Sequence, residues 1–238
     1  MHQLILYQAV KLIPDTSRPS EEQQSIKAFS ESITDFTELP TIIGKAMVVT
    51  GLGTTASEQV SRAFAKDVLS VEIGGPSRPQ LTLVDLPGLI QSETKGVTNA
   101  DVKMVREITQ YYIKQPRTIC LAVISALNDF ANQGILQRVK NVDPDGDRTL
   151  GIITKLDRLE PGSSSEQAFL GLARDEDVFF KPGWHALKNR KYDERSRSFK
   201  ERNASEAEYF RTSIFKSLPC DSHGICALRE CFARQRPV

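Results

Sequence analysis

An aspartate that ends an apolar run, with a glycine three residues later, could bind a phosphate and its magnesium. Asp85 follows the apolar residues 81–84 and precedes Leu86-Pro87-Gly88. A carboxylate in this position can hold Mg²⁺ through water, because Mg²⁺ keeps most of its hydration shell. The Gly88 backbone N–H could then approach a phosphate oxygen after a sharp bend. Since D-x-x-G also occurs in ordinary turns, the pattern is informative only beside other motifs.

A second motif, Thr154-Lys155-Leu156-Asp157, also follows an apolar run and has the residue types that bind guanine. Guanine presents N1–H and N2–H₂ as adjacent donors, and the carboxylate of Asp157 could accept both. Adenine lacks that donor pair, and an unsatisfied carboxylate can cost several powers of ten in discrimination, which makes an ATPase the weaker interpretation. Lys155 would lay its stem and charge along the base. The structural alternative is an ordinary helix start with Asp157 as a cap.

Asn189-Arg190 follows the predicted strand at 184–187 and lies where a third loop would flank a base or ribose; the plainer interpretation is a polar strand end. A phosphate cradle needs a nest of backbone N–H groups, a lysine on the phosphates and a Ser or Thr on Mg²⁺. No G-x-x-x-x-G-K-[ST] occurs in the sequence. The nearest match, Gly44-Lys45-Ala46, lacks the earlier glycine and the hydroxyl and lies in a helical pattern.

The predicted strands and helices indicate how these motifs would be positioned. From residue 81 onward strands alternate with helices, which predicts an α/β fold with a mostly parallel sheet covered on both faces. Ligands on such sheets bind outside the carboxyl ends of the strands, so the three loops could converge on one crevice. The charge-rich segment 190–203 is predicted to be a solvated loop or helix start. Predicted strands are 4–13, 68–73, 81–84 (a hairpin with 68–73), 118–124, 149–153 and 184–187, and predicted helices are 20–36, 39–51, 99–112 (capped by Asn99), 134–142, 168–173, 207–218 and 225–233.

Composition and charge exclude several classes of protein. The 238 residues are 39% hydrophobic and 26% charged, as in an ordinary soluble protein with a real core. A formal net charge of +1 gives no electrostatic case for binding nucleic acid or an anionic membrane. No stretch has the length of a membrane-spanning helix, and the N-terminus lacks the pattern of a signal peptide. The cysteine usage indicates a reducing compartment, so we expect a cytoplasmic protein, associated with membrane or cytoskeleton through partners.

The four cysteines do not suggest a disulfide scaffold. Cys120 lies in a predicted strand and is expected to be a small core residue. Cys220, His223, Cys226 and Cys231 have a spacing that invites a zinc interpretation. Because Cys226 and Cys231 fall on a helical pattern and no second ligand cluster supports a zinc knuckle, we prefer the non-metal interpretation.

In this order the motifs resemble those of dynamin-superfamily GTPases, and most of all the dynamin-like large GTPases of fungi. The resemblance implies a three-layer, P-loop NTPase-like G domain, with a helical insertion at about 20–60 between two core strands. It runs from about residue 11 to residue 189 and weakly to residue 232. The segments that carry it are 81–89, 115–123, 128–132, 142–149, 151–157 and 188–190, with Ile33-Thr34-Asp35-Phe36 in the insertion.

The resemblance assigns roles residue by residue. Asp85 would order a magnesium-bound water and Gly88 would contact the γ-phosphate. Thr154, Lys155 and Asp157 would hold the guanine of GTP or GDP, with Asn189 and Arg190 closing that side. Family members pair G domains across the nucleotide face, where Asn128 and Asp129 would lie, and intact relatives couple GTP hydrolysis to membrane remodelling. No catalytic residue is assigned.

The sequence also departs from the family pattern. The phosphate cradle, the first-switch threonine and the central first strand are expected to be missing by N-terminal truncation. We therefore expect residues 1–203 to be a partial G domain and 204–238 to be the truncated start of a helical bundle or stalk. The expected function is guanine-nucleotide binding with weak or absent hydrolysis. The alternatives are a non-catalytic module that docks to a full-length dynamin-like partner, and an incomplete gene product that does not fold stably.

Overall fold

The computed structural model shows two compact units, Met1–Thr109 and Gln110–Val238, and we describe each by itself. The first unit contains helices α1 (Ser20–Lys27) and α2 (Leu39–Val49). Helix α3 (Asn99–Ile113) includes the last residues of the first unit and the first residues of the second. The described residues are 7–33, 35–52, 63–75, 80–90, 93, 96–129 and 133–234.

The sheet of the first unit is antiparallel, with strand order β2 (Ser30–Ser32), β1 (Tyr7–Ile13) and β3 (Val68–Gly74). Strand β1 is central, and its Val10 lies opposite Glu31 on one side and Val71 on the other. Alternate residues of β1 face α1 and α2, since Val10 packs with Ile42 and Leu12 packs with Ile26 and Ala46. The predicted strands at 4–13 and 68–73 are confirmed wherever the structure describes them.

The predicted helix over 20–36 is wrong after residue 27. Helix α1 ends at Lys27, and Ser30–Ser32 adds to the sheet as β2. Here Ile33 is buried with Val10 and Ile42, so an apolar residue that fits a helical period instead anchors the end of a strand. Tertiary pairing with β1 overrides the local periodicity, which could not distinguish the two states over so short a segment.

The predicted strand at 81–84 and its hairpin with β3 are also wrong. Residues 80–90 carry no regular secondary structure, and Leu83 is 70% exposed. Strand β3 pairs with β1 instead. Apolar composition gives a segment the propensity for a strand, but a strand exists only when a neighbouring ladder satisfies its backbone. Among the residues that the structure describes, 81–84 have no such ladder.

The second unit contains a parallel sheet in the order β4 (Cys120–Ser125), β5 (Thr149–Thr154) and β6 (Trp184–Leu187). These predicted strands are confirmed to within two residues, and the buried Cys120 is a core residue as expected. The prediction of a mostly parallel sheet therefore holds for this unit, whereas the described sheet of the first unit is antiparallel.

Helices contact both faces of the parallel sheet, so the predicted layering is confirmed in this unit. On one face, Ile124 and Ile153 belong to a core that also contains residues from α4 (Gly134–Val142), α5 (Ser164–Ala173) and α6 (Phe199–Thr212). On the other face, Leu150 and Ile152 pack with Leu228 of α7 (Ile225–Arg234). Thr149 is fully buried at the start of β5.

The last described residues form α6, a 3₁₀ turn at Ile214–Ser217 and α7. The predicted helix at 225–233 is confirmed, whereas the one predicted at 207–218 begins earlier, at Phe199, and ends at Thr212. The predicted domain boundary at 203/204 falls inside α6, whose Phe210 belongs to the same core as the sheet. The assignment of 204–238 to the start of a stalk stays a prediction. Within the described part of the chain, none of the helices has the length and apolar character needed to cross a membrane.

Candidate functional site

The carboxyl end of β5 makes a tight reversal that directs Asp157. The Thr154 hydroxyl donates to the Ile124 carbonyl at 2.9 Å and so joins the ends of β5 and β4. Lys155 then takes a left-handed conformation (φ 61°), which is uncommon for a residue with a side chain. A single 3₁₀ turn, Leu156–Arg158, follows, with Leu156 buried in the core as its anchor. Strain of this kind persists only where the surroundings hold it, and here the buried anchor holds it.

Asp157 carries a buried carboxylate with unused acceptor capacity. Its side chain is 7% exposed, and Oδ2 is fully buried without a hydrogen-bond donor among the described residues. The nearest cation is Lys191, whose Nζ lies 3.4 Å from Oδ2. Because a buried carboxylate without donors is costly, such a group either belongs to a structural pair or awaits a ligand that donates. Within this turn, Leu156 anchors the backbone in the core, and Asp157 supplies an acceptor that has no hydrogen-bond donor among the described residues.

The loop after β6 lies beside this turn, as expected for neighbouring parallel strands that end together. Thr154 is in register with Leu187, so residues 188–191 leave the sheet at the same edge as residues 155–157. The Lys191–Asp157 ion pair confirms that the two loops adjoin. The structure thus brings the second and third sequence motifs together.

Asn189 and Arg190 occupy different environments in that loop. Asn189 is exposed, and its Oδ1 accepts from the Arg202 guanidinium at 3.2 Å. The Arg190 guanidinium lies 4.9 Å from the centroid of the exposed Phe199 ring, and its Nε is buried without a hydrogen-bond acceptor in the described residues. Arg190 is therefore a second polar group with unused hydrogen-bonding capacity in this loop.

A buried ionic network below the loop was not predicted. Lys188 is 7% exposed and donates its Nζ to Ser205 Oγ at 3.0 Å, while its backbone N–H donates to Glu206 at 2.9 Å. Arg202 is also buried, so the predicted solvated state of 190–203 is wrong at this position. The reason is that Glu206 and the Lys188 carbonyl satisfy its guanidinium inside the unit. Only the Arg202–Glu206 spacing hinted at a pair, and nothing in the sequence indicated its burial.

Asp157 also lines a cavity of about 370 Å³. Burial raises the pKa of the Tyr209 hydroxyl well above its usual value, and the charges of Asp157 and Glu166 add to this effect. The hydroxyl therefore stays protonated. Ser213 Oγ is buried beside it. The lining residues are Leu156, Asp157, Leu159, Pro161, Glu166, Tyr209, Thr212, Ser213 and Ile214.

Asp85 and Gly88 belong to the first unit, and both are exposed. No cluster of three or more His, Cys, Asp or Glu groups that could hold a metal occurs in the described part of the chain. A single carboxylate suits Mg²⁺ only when waters and phosphates supply the other ligands. Asp85 therefore fits a magnesium ion that arrives with a nucleotide, and it does not fit a dedicated metal cage.

The predicted interface residues follow β4. Asn128 is exposed in a turn whose backbone N–H donates to the Ser125 carbonyl at 3.2 Å. Gln133 fastens this turn, since its Nε2 donates to the carbonyls of Ser125 and Asn128. Asp129 is exposed beside Asn128. The rest of the predicted interface, 130–132, lies outside the described residues, so its role stays a prediction.

Residues 220–231, whose spacing invited a zinc interpretation, help to hold α7 against the sheet. His223 stacks on Phe210 with ring centroids 4.5 Å apart, and its backbone pairs with Ala186 of β6. Cys226 and Cys231 lie on α7, as their helical spacing predicted. Cys231 packs with Leu228 against the sheet. These contacts give the segment a structural role.

Comparisons with known proteins agree with this architecture. Residues 9–156 match the Dynamin_N model of the dynamin family. The interferon-induced GTP-binding protein Mx of Siniperca chuatsi is 33% identical over 158 residues, which cover 66% of this chain and 25% of that protein. The Mx protein of Dicentrarchus labrax is 32% identical over 190 residues, or 79% of this chain and 28% of that protein. That of Perca fluviatilis is 34% identical over 131 residues, or 55% and 43%.

A parallel α/β sheet whose strand-end loops meet at a buried carboxylate is consistent with a G domain. The family match covers more than half of the chain, and the chain belongs to the dynamin family. It spans only about a quarter of the length of the first two Mx relatives. The fungal subgroup expected from the sequence stays a prediction.

Proposed function

We propose that this chain is a guanine-nucleotide-binding domain in which Asp157 selects the base. The observation that carries the proposal is the buried Asp157 carboxylate, whose Oδ2 lacks a hydrogen-bond donor among the described residues. Guanine would supply two adjacent N–H donors to this carboxylate, and adenine would supply no such pair. The dynamin family match and relatives that are named GTP-binding proteins support the same assignment.

Three neighbours complete the proposed base site. The left-handed conformation of Lys155 leaves its side chain exposed beside the turn, where the stem can cover one face of a planar base. Asn189 and Arg190 would bound the other side, and Arg190 Nε retains a free hydrogen atom for an acceptor on the base or ribose. Thr154 acts mainly by fixing the turn through its bond to Ile124.

By resemblance to the family, we also propose that Asp85 and Gly88 of the first unit contribute a phosphate-binding element. Mg²⁺ carried by the nucleotide would neutralise charge on the phosphates. Asp85 would hold a water of that ion, and the Gly88 backbone N–H would donate to a phosphate oxygen. Both residues are exposed and accessible to a ligand.

We infer that this chain binds nucleotide without appreciable turnover. Catalysis of phosphoryl transfer depends on a lysine and backbone donors that stabilise the charge of the transferring group. The sequence contains no G-x-x-x-x-G-K-[ST] to supply them. GTP hydrolysis by the purified chain should therefore not exceed the buffer background. Turnover that Asp157→Ala abolishes would contradict this inference.

The most direct test of base selection replaces one carboxylate oxygen of Asp157. Asp157→Asn keeps the shape of the side chain but replaces one acceptor oxygen with a donor NH₂. Xanthine presents an N1–H donor beside a C2 carbonyl acceptor, so it should complement the amide as guanine complements the carboxylate. We expect the wild-type protein to prefer guanosine over xanthosine, and the variant to reverse that preference, with a combined change of about 100-fold.

Calorimetry with nucleosides measures this preference without any contribution from phosphates. Asp147→Asn is the matched control, because Asp147 is 62% exposed in the same unit and pairs with Lys181 at the surface. It should leave both affinities unchanged. Equal binding of guanosine and adenosine by a cooperatively folded wild-type sample would refute the proposed function.

The proposed associations follow from family membership. Pairing of G domains through the segment at Asn128 and Asp129, docking to a full-length dynamin-like relative, and a cytoplasmic location stay predictions. Analytical ultracentrifugation with and without GDP, using Asn128→Arg as the disrupting variant, addresses the first of them.

A further inference from the structure

Lys191 is the one residue whose cationic group reaches the proposed base-selecting carboxylate in the described part of the chain. Its Nζ lies 3.4 Å from Asp157 Oδ2, and its side chain is 38% exposed. The Asp157 side chain is only 7% exposed, and Oδ2 receives no hydrogen bond from the described residues. The pair therefore joins a solvent-accessible cation to a buried anion across the mouth of the proposed base site.

We propose that Lys191 is a latch for the base site: a positioning residue that holds Asp157 in the nucleotide-free protein and must be displaced by guanine. The proposal rests on the proposed function and goes beyond it, since it names the residue that sets guanine affinity. The ammonium group and the two guanine N–H groups are all donors. They cannot bond to one another, so they compete for the same carboxylate oxygens.

The geometry favours displacement of the lysine over joint binding. A charge-assisted bond between an ammonium and a carboxylate normally spans about 2.7–2.9 Å, so a distance of 3.4 Å marks a loose pair. Guanine would bring N1 and N2 to ordinary hydrogen-bond distance from both oxygens and would occupy the space in front of them. Since Lys191 is partly exposed, its ammonium group can return to water at little cost.

The backbone of Lys191 is held by a hydrogen bond, whereas its side chain is partly exposed. Its N–H donates to Glu194 Oε2 at 3.0 Å at the start of the 3₁₀ turn Tyr192–Glu194. Glu194 in turn pairs with Lys188 at 3.5 Å and Arg197 at 2.7 Å. The bond to the Lys191 backbone holds the pKa of Glu194 below its usual value, so the turn keeps its charge near neutral pH. The Lys191 backbone, which anchors the side chain that would be displaced, is therefore held in place.

Guanosine is the probe for the experiment because it carries no phosphate. Its binding is measured by calorimetry at about 0.05 M and about 0.5 M NaCl for wild type, Lys191→Met and Lys191→Arg. Salt screens the partly exposed ion pair. For wild type we expect guanosine affinity to rise several-fold with salt. Lys191→Met should bind several-fold tighter than wild type at low salt and show little response to salt. Lys191→Arg should retain the response of wild type.

Lys181→Met is the matched control, since it removes an equally loose ion pair (3.3 Å to Asp147) from the surface of the same unit. It should behave as wild type does. Circular dichroism establishes that each variant is folded, and the salt response of the wild-type protein tests the latch even if Lys191→Met fails to fold.

Three outcomes would overturn the latch. Guanosine affinity of wild type that is flat or falls with salt excludes an inhibitory ion pair. Weaker binding by a folded Lys191→Met would show that the lysine supports the base instead of competing with it. Absence of guanosine binding by folded wild type at any salt concentration would remove the proposed function and the latch together. The first two outcomes leave the proposed function intact.

Discussion

Arg202 and Glu206 form a buried ion pair one turn apart on α6, with 2.6 Å between Arg202 Nη1 and Glu206 Oε2. Arg202 also donates to the carbonyl of Lys188 at 2.7 Å. Glu206 accepts the backbone N–H groups of Lys188 at 2.9 Å and Ile225 at 2.8 Å. Two side chains thus fix the loop after β6 and the first residue of α7, and the proposed base site depends on that loop.

Glu206→Gln should destabilise the second unit by about 3 kcal/mol, because it leaves the buried Arg202 guanidinium without its counter-ion. Urea denaturation followed by circular dichroism measures the change. Glu208→Gln is the control, since Glu208 pairs with Arg211 on the exposed face of the same helix. It should change stability by less than about 0.5 kcal/mol. Equal denaturation midpoints for the two variants would show that the buried pair contributes nothing to stability.

The sequence could predict the charges of this network but not its burial. Arg202 and Glu206 have the spacing of an ordinary surface pair, and the surrounding segment is rich in charge. Burial depends on Lys188 and Ile225, which are distant along the chain and come together only in the folded unit. The same limit applies to Lys191, because no local pattern links it to Asp157.

Gly151, in β5, lies too close to Trp184 of the neighbouring strand for any larger side chain. A Cβ atom there would overlap Cε3 of Trp184 on the neighbouring strand. The indole cannot retreat easily, because it is buried and its Nε1 donates to the Val178 carbonyl at 2.7 Å. Gly151→Ala should therefore destabilise the protein by about 2 kcal/mol or more.

Fluorescence reports this change directly, since Trp184 is the single tryptophan of the chain. We expect a lower urea midpoint and a shifted emission maximum. Gly44→Ala is the control, because Gly44 lies within α2 and nothing is within 4 Å of the added carbon. Alanine should be neutral or slightly stabilising there. A Gly151→Ala protein as stable as wild type would mean that the two strands can separate at low cost.

The strand predictions were correct for β4 and β5, which are paired and largely buried in the structure. The runs that became β4 and β5 are apolar on both faces. Strand β5 is buried on both faces, whereas β4 is buried on one face and its Val123 is 54% exposed on the other. The run at 81–84 has a similar composition, yet its residues are largely exposed and unpaired among the described residues. An apolar pattern indicates that a segment tends to be buried. A strand also needs a neighbouring strand to pair with, and the local sequence does not encode that neighbour.

Arg18 and Asp67 form a nearly buried ion pair in the first unit. The Arg18 Nε lies 2.8 Å from Asp67 Oδ1, its Nη2 also contacts this carboxylate, and the same Nη2 donates to the Thr50 carbonyl at 2.9 Å. The Asp67 side chain is 1% exposed. Arg18→Ala should cost about 3 kcal/mol, because it leaves a buried carboxylate without its cation.

Arg18→Lys should recover only part of that loss, since an ammonium group cannot make the two-pronged contact. Hydrogen exchange of β1 and β3 amides reports the stability of this unit by itself. Lys45→Met, which removes an exposed pair with Glu31, is the control and should leave exchange unchanged. Full recovery of stability by Arg18→Lys would show that the charge of residue 18 accounts for the stabilisation without the two-pronged contact.

His185 makes the stability of the second unit depend on pH. It is 2% exposed, and its Nε2 lies 2.8 Å from the Gly224 carbonyl, so the contact joins β6 to the turn before α7. Burial lowers the pKa of His185, the bond to Gly224 and the nearby Glu206 and Asp221 oppose that shift, and His223 adds to it. Burial also lowers the pKa of His223.

The unfolded chain takes up a proton at each of these imidazoles near pH 6.5, whereas the folded unit resists it until a lower pH. Stability conferred by the neutral imidazoles is therefore present above pH 6.5 and is lost as the pH falls towards the folded-state pKa values. His185→Gln keeps an N–H donor for Gly224 but cannot titrate. Its stability at neutral pH can differ from that of wild type, but between pH 6.5 and 5 it should fall less steeply. Urea midpoints measured at intervals across that range give the slopes, and equal slopes would show that His185 titrates alike in both states.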